Sequence, residues 1–187
     1  MTLILAAVSR SRAVLAADRR IAWGPTGGPY QHAEADKLFS VRGCAVASFG
    51  SSPPNTDVPQ LIRALDSSCT VEATCLASTL HARVSSLPDP GDFGMLVLGM
   101  SAGQASLCEI QSKGGVTAHE LTPGALLSRG VAVPLPQLSL PEEEVALRER
   151  LLRVFRQAAQ QTDSVGPPYE FAFLSPDAAI SISRSDA

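Results

Sequence analysis

At 187 residues the chain is most simply one domain, residues 1–187, long enough to bury a substantial core without disulfide or metal support. A formal net charge of −3 and the absence of a basic block argue against nucleic acid or an anionic membrane surface as the main partner. Cys44, Cys69, Cys75 and Cys108 show no CxxC spacing and sit among alanine, valine and leucine, as buried free thiols do. No metal and no cofactor are therefore expected, and a reducing compartment is. Residues 2–8 are too short for a signal h-region and follow no charged residue, and no apolar run approaches the ~20 residues of a membrane span. The expected location is the cytoplasm. Of the fifteen basic residues only Lys37 and Lys113 are lysine; Lys113 is read as a matter of composition.

In chain order, residues 2–8 and 13–17 are short apolar runs joined by Ser9-Arg10-Ser11-Arg12, the pattern of a hairpin buried on both faces. Residues 23–36 hold three glycines and two prolines and read as a long loop. Residues 37–41 and 44–49 form a second strand pair around Arg42-Gly43. Residues 57–65 and 70–87 carry apolar residues at helical spacing. Residues 93–100 and 105–111 read as paired strands, with more strand-like backbone at 114–121 and 126–127. Two prolines make residues 131–140 extended. Pro141 then opens a helix to about Gln161, with Glu142, Glu143 and Glu144 at the positive end of its dipole. Residues 169–174 and 178–183 close the chain as a hairpin. Strands separated by blocks of helices fit an α+β layered fold.

Three residues of the first third could form a reaction centre. If Met1 is removed, Thr2 becomes N-terminal, and its α-amine can take the proton from its own hydroxyl. An unperturbed α-amine titrates at about 7.7–8.0, close to working pH. Lys37 beside Thr2 would favour the ionised hydroxyl, and Asp18 would pair with Lys37, since an unpaired buried ammonium is costly. Gly50 ends a strand, and its N–H is the candidate oxyanion donor because a glycine turn admits close approach of a substrate. His32, His81 and His119 have no partner spacing for a triad or a metal site. Asp89 and Asp92 read as turn residues.

Taken together, Thr2 at the head of the first strand, Ala16-Ala17-Asp18-Arg19-Arg20, Lys37-Leu38-Phe39 and the turn at Gly50 resemble the β subunits of the proteasome and bacterial homologues such as HslV, which are N-terminal-nucleophile (Ntn) hydrolases. The 16-residue interval from Thr2 to Asp18 matches the family spacing, and the longer interval to Lys37 falls in the Gly/Pro loop. The resemblance implies a four-layer αββα Ntn-hydrolase sandwich. It implies a threonine-type endopeptidase, conditional on removal of Met1, acting through an acyl-enzyme inside a homo-oligomer of stacked rings. Its partners would be other copies of the chain, peptide or unfolded-protein substrates and an unidentified regulator. By the same resemblance Ala22 and Ser51 border the substrate pocket, and Arg20, Ser128 and Asp163 support the centre. Two departures stand out. Residues 131–141 follow Leu127-Ser128-Arg129-Gly130 where the family has a helix, so its third helix is expected to be missing. The supporting Asp-x-x-Ser-Gly pattern is here Asp163-Ser164-Val165-Gly166, with the serine displaced. The competing expectations are a non-catalytic ring or scaffold subunit, and an Ntn amidohydrolase or acyl transferase acting on a small amide.

Overall fold

The computed structural model describes residues 2–23, 31–51, 56–65, 69–101, 103–132, 140–177 and 179–186. It is a mixed α/β structure whose strand pairs are antiparallel. The first sheet is built on β1 (Leu3–Val8) and β2 (Ala13–Asp18), with all twelve residues buried. The reason is in the side-chain alternation: Leu3, Leu5 and Ala7 enter one core while Ile4, Ala6 and Val8 enter another. Such a strand has no solvent face, and so no polar alternation appears in its sequence.

Beside β1 lies β10 (Leu126–Gly130), with Leu3 opposite Gly130 and Leu5 opposite Ser128. Beside β2 lies β11 (Tyr169–Leu174), followed at the edge by β12 (Ile180–Ser185). The second sheet runs β5 (Leu38–Val41), β6 (Cys44–Gly50), β7 (Phe93–Ser101), β8 (Gln104–Gln111) and β9 (Gly115–His119). A small pair, β3 (Arg20–Trp23) and β4 (Gln31–Glu34), flanks them.

Three apolar clusters hold these parts together. One lies between the second sheet and helices α1 (Val58–Arg63) and α2 (Ala73–Ser85), through Val46, Ile62, Leu76, Leu80 and Met95. Another lies between the first sheet and α3 (Glu144–Gln161), where Leu151 and Phe155 meet Val14 and Phe171. Phe155 stacks on Tyr169 with ring centroids 4.7 Å apart and meets Phe171 edge-on at 6.2 Å. The third joins residues of both sheets, among them Ile4, Leu15, Ala45, Leu96 and Ala172.

Several sequence expectations are amended. The long loop expected over 23–36 contains β4, which pairs with β3; residues 24–30 lie outside the described residues, as do 133–139 of the extended stretch. The strand expected at 126–127 extends to Gly130, because β1 supplies a complete partner ladder. The last helix starts at Glu144 and not at Pro141. Glu142 instead closes the β1–β2 turn: its carboxylate accepts from Arg10 N and Ser11 N, each at 3.1 Å, and from the Ser11 hydroxyl at 2.9 Å. Glu144, in the first turn, bridges Arg12 and Arg148. Among the cysteines, Cys44 and Cys108 are buried but Cys69 and Cys75 are exposed, since Cys75 falls on the outer face of α2. Among the described residues no helix is long and apolar enough to cross a membrane.

Candidate active site

The end of β2 carries Asp18, which is fully buried. Its Oδ1 accepts the Leu3 N–H at 2.7 Å, so the side chain takes the place of a backbone acceptor where the β1–β2 ladder runs out. Its Oδ2 accepts from Lys37 Nζ at 3.3 Å. Lys37 Nζ also donates to the Arg20 carbonyl. Lys37 is only 5% exposed and Thr2 only 6%. The structure thus brings the beginning of β1, the end of β2 and the beginning of β5 to one point.

The segment bearing Lys37 is pinned from both sides. Ala35 N donates to the Arg19 carbonyl at 3.0 Å, and the Lys37 carbonyl accepts from Ser48 N at 3.1 Å. The Arg19 guanidinium spans Glu170 at 2.5 Å and Asp36 at 2.9 Å, and Asp36 is also held by Arg63 at 2.7 Å. Such a network costs more to rearrange than a lone exposed pair.

Burial works against both charges of the Asp18–Lys37 pair. It raises the Asp18 carboxyl to about 6, with the Lys37 ammonium and the Leu3 N–H pulling the other way. Burial lowers Lys37 from its ordinary value, opposed by Asp18. The pair is therefore poised, each member holding the other in its ionised form.

A cleft opens beside this pair in two lobes that share Thr2, Phe49, Gly50, Ser51 and Phe93. The lobe towards Lys37, about 480 Å³, is lined further by Ile21, Asp36, Ser48 and Val58. The lobe towards the β8–β9 turn, about 450 Å³, is lined by Asp92, Gln111, Ser112, Lys113 and Gly130. Gly50 lies where the two meet. Ser51 N donates to the Asp92 carbonyl at 3.0 Å. By the alternation of an antiparallel ladder, Gly50 N–H then points to the other edge of β6, the edge on which Ser48 N donates to Lys37. The β5 ladder on that edge reaches only to Ala47, opposite Leu38, and so stops short of Gly50. Gly50 has φ +83°, and a Cβ on it would overlap the Asp92 carbonyl.

Gly130 does for Thr2 what Gly50 does for the cleft. Its φ is +88°, and a Cβ there would overlap the Thr2 carbonyl, which accepts from Val131 N at 2.9 Å. Gly130→Ala is expected to push the start of β1 away from Asp18 and to lower thermal stability by about 1–3 kcal/mol. Thermal unfolding checks this, and a wild-type melting curve would contradict it.

The remaining candidate residues are placed as follows. Arg20 packs its guanidinium on Gly166 and donates to the Asp163 carbonyl at 3.2 Å, tying the turn before β11 to β3. The Asp163 side chain is exposed. Ala22 lies on β3 opposite His32. Ser128 sits opposite Leu5, on the side of the first sheet that packs under α3, and the cleft lining near it is Gly130. Met1 lies outside the described residues.

Two features of the site have no counterpart in the sequence reading. Phe49 and Phe93 form its walls although both read simply as strand residues. Lys113 also lines it, so both lysines of the chain reach one cleft; only their rarity could have hinted at that. Behind this lobe Glu109 is held at about 2. Burial alone would raise it, but hydrogen bonds from Arg129 (2.6 Å), Gln111 (3.1 Å) and His119 (2.8 Å) more than offset that. Among the described residues no group of three or more His, Cys, Asp or Glu side chains could hold a metal ion.

No protein-family model and no curated protein sequence matches the chain. Among solved structures it resembles the Gly-1 mutant of Anbu from Hyphomicrobium sp. strain MC1, with a TM-score of 0.74 at 17% identity, over 100% of this chain and 89% of that one. This finding corrects the resemblance to proteasome β subunits and HslV drawn from the first third of the sequence, for which neither family models nor curated sequences give support. At this identity the likeness is one of fold alone: the chain shares the mixed α/β fold of that Anbu structure.

Proposed function

We propose that the chain is an Ntn amide hydrolase that cleaves peptide bonds with Thr2 as nucleophile once Met1 is removed. The observation that carries this reading is Asp18, bonded at once to Leu3 N–H and to Lys37 Nζ, beside a cleft lined by Thr2 and Gly50. The Thr2 Oγ attacks the scissile carbonyl and its proton passes to the Thr2 α-amine. The Gly50 N–H stabilises the oxyanion, and the α-amine hands the proton to the departing amine, leaving an ester on Thr2. Water then attacks the ester by the same base and frees the hydroxyl. Lys37 keeps positive charge beside the reacting oxygen, and Asp18 holds Lys37. Ser51 and the Ala22 strand border the substrate; Arg20, Asp163 and Ser128 support the surrounding backbone. No metal or cofactor takes part in these steps.

The three apolar clusters support a single unit over residues 1–187, layered α, β, β, α. Assembly of copies into a ring, with the cleft facing an enclosed space, fits the fold likeness to Anbu. A cytoplasmic setting fits the unpaired cysteines.

Intact mass and labelling test the reading. The purified protein should lack Met1 and should gain one adduct at Thr2 from a threonine-directed electrophile. Retention of Met1 with no labelling and no peptide cleavage would overturn it and favour a non-catalytic ring or scaffold subunit. Native mass separates the assemblies: a monomer that still cleaves small amides removes the ring and points to a small-amide substrate.

A further inference from the structure

We propose that the cleft lobe beside the β8–β9 turn receives a carboxylate of the substrate, with the Lys113 ammonium as its counter-charge. This rests on the reading of Thr2 as nucleophile, since a chain lying across Thr2 extends into both lobes. The two lysines of the chain reach the cleft in different states. Lys37 is buried and paired with Asp18. Lys113 is exposed and, among the described residues, has no carboxylate or hydrogen-bond partner.

The turn that presents Lys113 is held firmly. Ser112 N donates to the Phe93 carbonyl at 2.9 Å, and the Ser112 hydroxyl donates to the Gly91 carbonyl at 2.8 Å. Gly114 N closes the turn on the Gln111 carbonyl at 3.1 Å. Gln111 Nε2 is bonded to Glu109, which Arg129 and His119 hold in turn. The stem of Lys113 thus starts from backbone fixed to the wall carrying Phe93, although its ammonium is free to meet a ligand.

Asp92, also on that lobe, makes no ion pair with Lys113. Its negative charge raises the cost of a carboxylate on its own wall and directs one towards Lys113. Two chemical sources supply such a group in a peptide: the C-terminal carboxylate, a residue or two beyond the cleaved bond, or an acidic side chain there. The lobe's volume, about 450 Å³, accommodates either.

The test uses the Met1-free protein and matched peptides. One pair is acetyl-Ala-Ala-Leu-Gly-Ala, cleaved after Leu, with a free carboxylate against its C-terminal amide. The other is acetyl-Ala-Ala-Leu-Glu-Ala-Ala amide against the same peptide with glutamine. In the wild type the carboxylate member of at least one pair should have a KM about two- to five-fold lower, the range of an exposed ion pair, and the advantage should shrink with added salt. Which pair responds identifies the source. Lys113→Met should bring the ratio to about one, Lys113→Glu should invert it, Lys113→Arg should keep it, and Asp92→Asn should widen it. Anisotropy binding of the same peptides, dye-labelled, to the Thr2→Ala protein gives a readout without turnover. Cleavage with an unchanged ratio in Lys113→Met would overturn this inference and leave Thr2 as nucleophile intact. Absence of cleavage with a Lys113-dependent binding ratio would overturn the hydrolase reading alone. Absence of any carboxylate preference in both assays would overturn the inference.

Discussion

Thr2→Ala is expected to reduce peptide cleavage to background, a loss of about 10³-fold or more in kcat, whereas Thr2→Ser should keep activity within about ten-fold. The asymmetry follows from what remains in the cleft. Alanine removes the hydroxyl but keeps the N-terminal amine, and serine keeps both. The Ser112 hydroxyl is engaged with Gly91, and His119 is tied to Glu109 behind the wall. The Thr2 carbonyl keeps its bond from Val131 in either variant, so the melting temperature should barely move. Single-turnover kinetics on a fluorogenic peptide reads the result. Substantial cleavage by correctly processed Thr2→Ala would place the nucleophile elsewhere.

How much of this was legible beforehand depends on where each signal is stored. The meeting of Thr2, Asp18 and Lys37 was legible because each lies at a strand end, where sequence shows a polar residue bounding an apolar run. The buried strands β1, β2 and β11 were legible as unbroken apolar runs. The β3–β4 pair was not, since Gly and Pro between its strands mask a ladder fixed by tertiary contacts such as Ala35 N on Arg19. Nor was the capture of Glu142 by the β1–β2 turn, a bond between residues about 130 positions apart that no local pattern encodes. The family resemblance drawn from the sequence is overturned by the comparison of folds. Its motif residues occupy only the first third, whereas the Anbu likeness spans the whole chain.

Lys37→Met and Asp18→Asn should both cut kcat by about 10²-fold or more, and their unequal effects on stability should tell the two roles apart. Lys37→Met leaves a fully buried carboxylate without its cation, a defect of about 3–5 kcal/mol if Asp18 stays ionised. Asp18 has an escape, however. Burial already raises it to about 6 from an unfolded value of 3.8, and losing the Lys37 ammonium removes the largest opposing influence and raises it further. An acid raised on folding binds its proton more tightly in the native state, so its ionisation lowers stability as pH climbs from the unfolded pKa through the folded one. The Lys37→Met defect should therefore be largest above pH 7 and shrink as pH falls towards 5. In Asp18→Asn the amide oxygen can still accept from Leu3 N, and the ionisation penalty is gone, leaving Lys37 to lose its proton more readily. Its stability should stay within about 1–2 kcal/mol of wild type at pH 7–8. Wild-type activity should fall as pH drops through about 6, where Asp18 takes up its proton and the ion pair that positions Lys37 is lost. Urea unfolding from pH 5 to 8 and kcat over the same range measure both effects. A Lys37→Met defect independent of pH would mean that Asp18 is not the group responding to Lys37, and the pairing would lose its role in the mechanism.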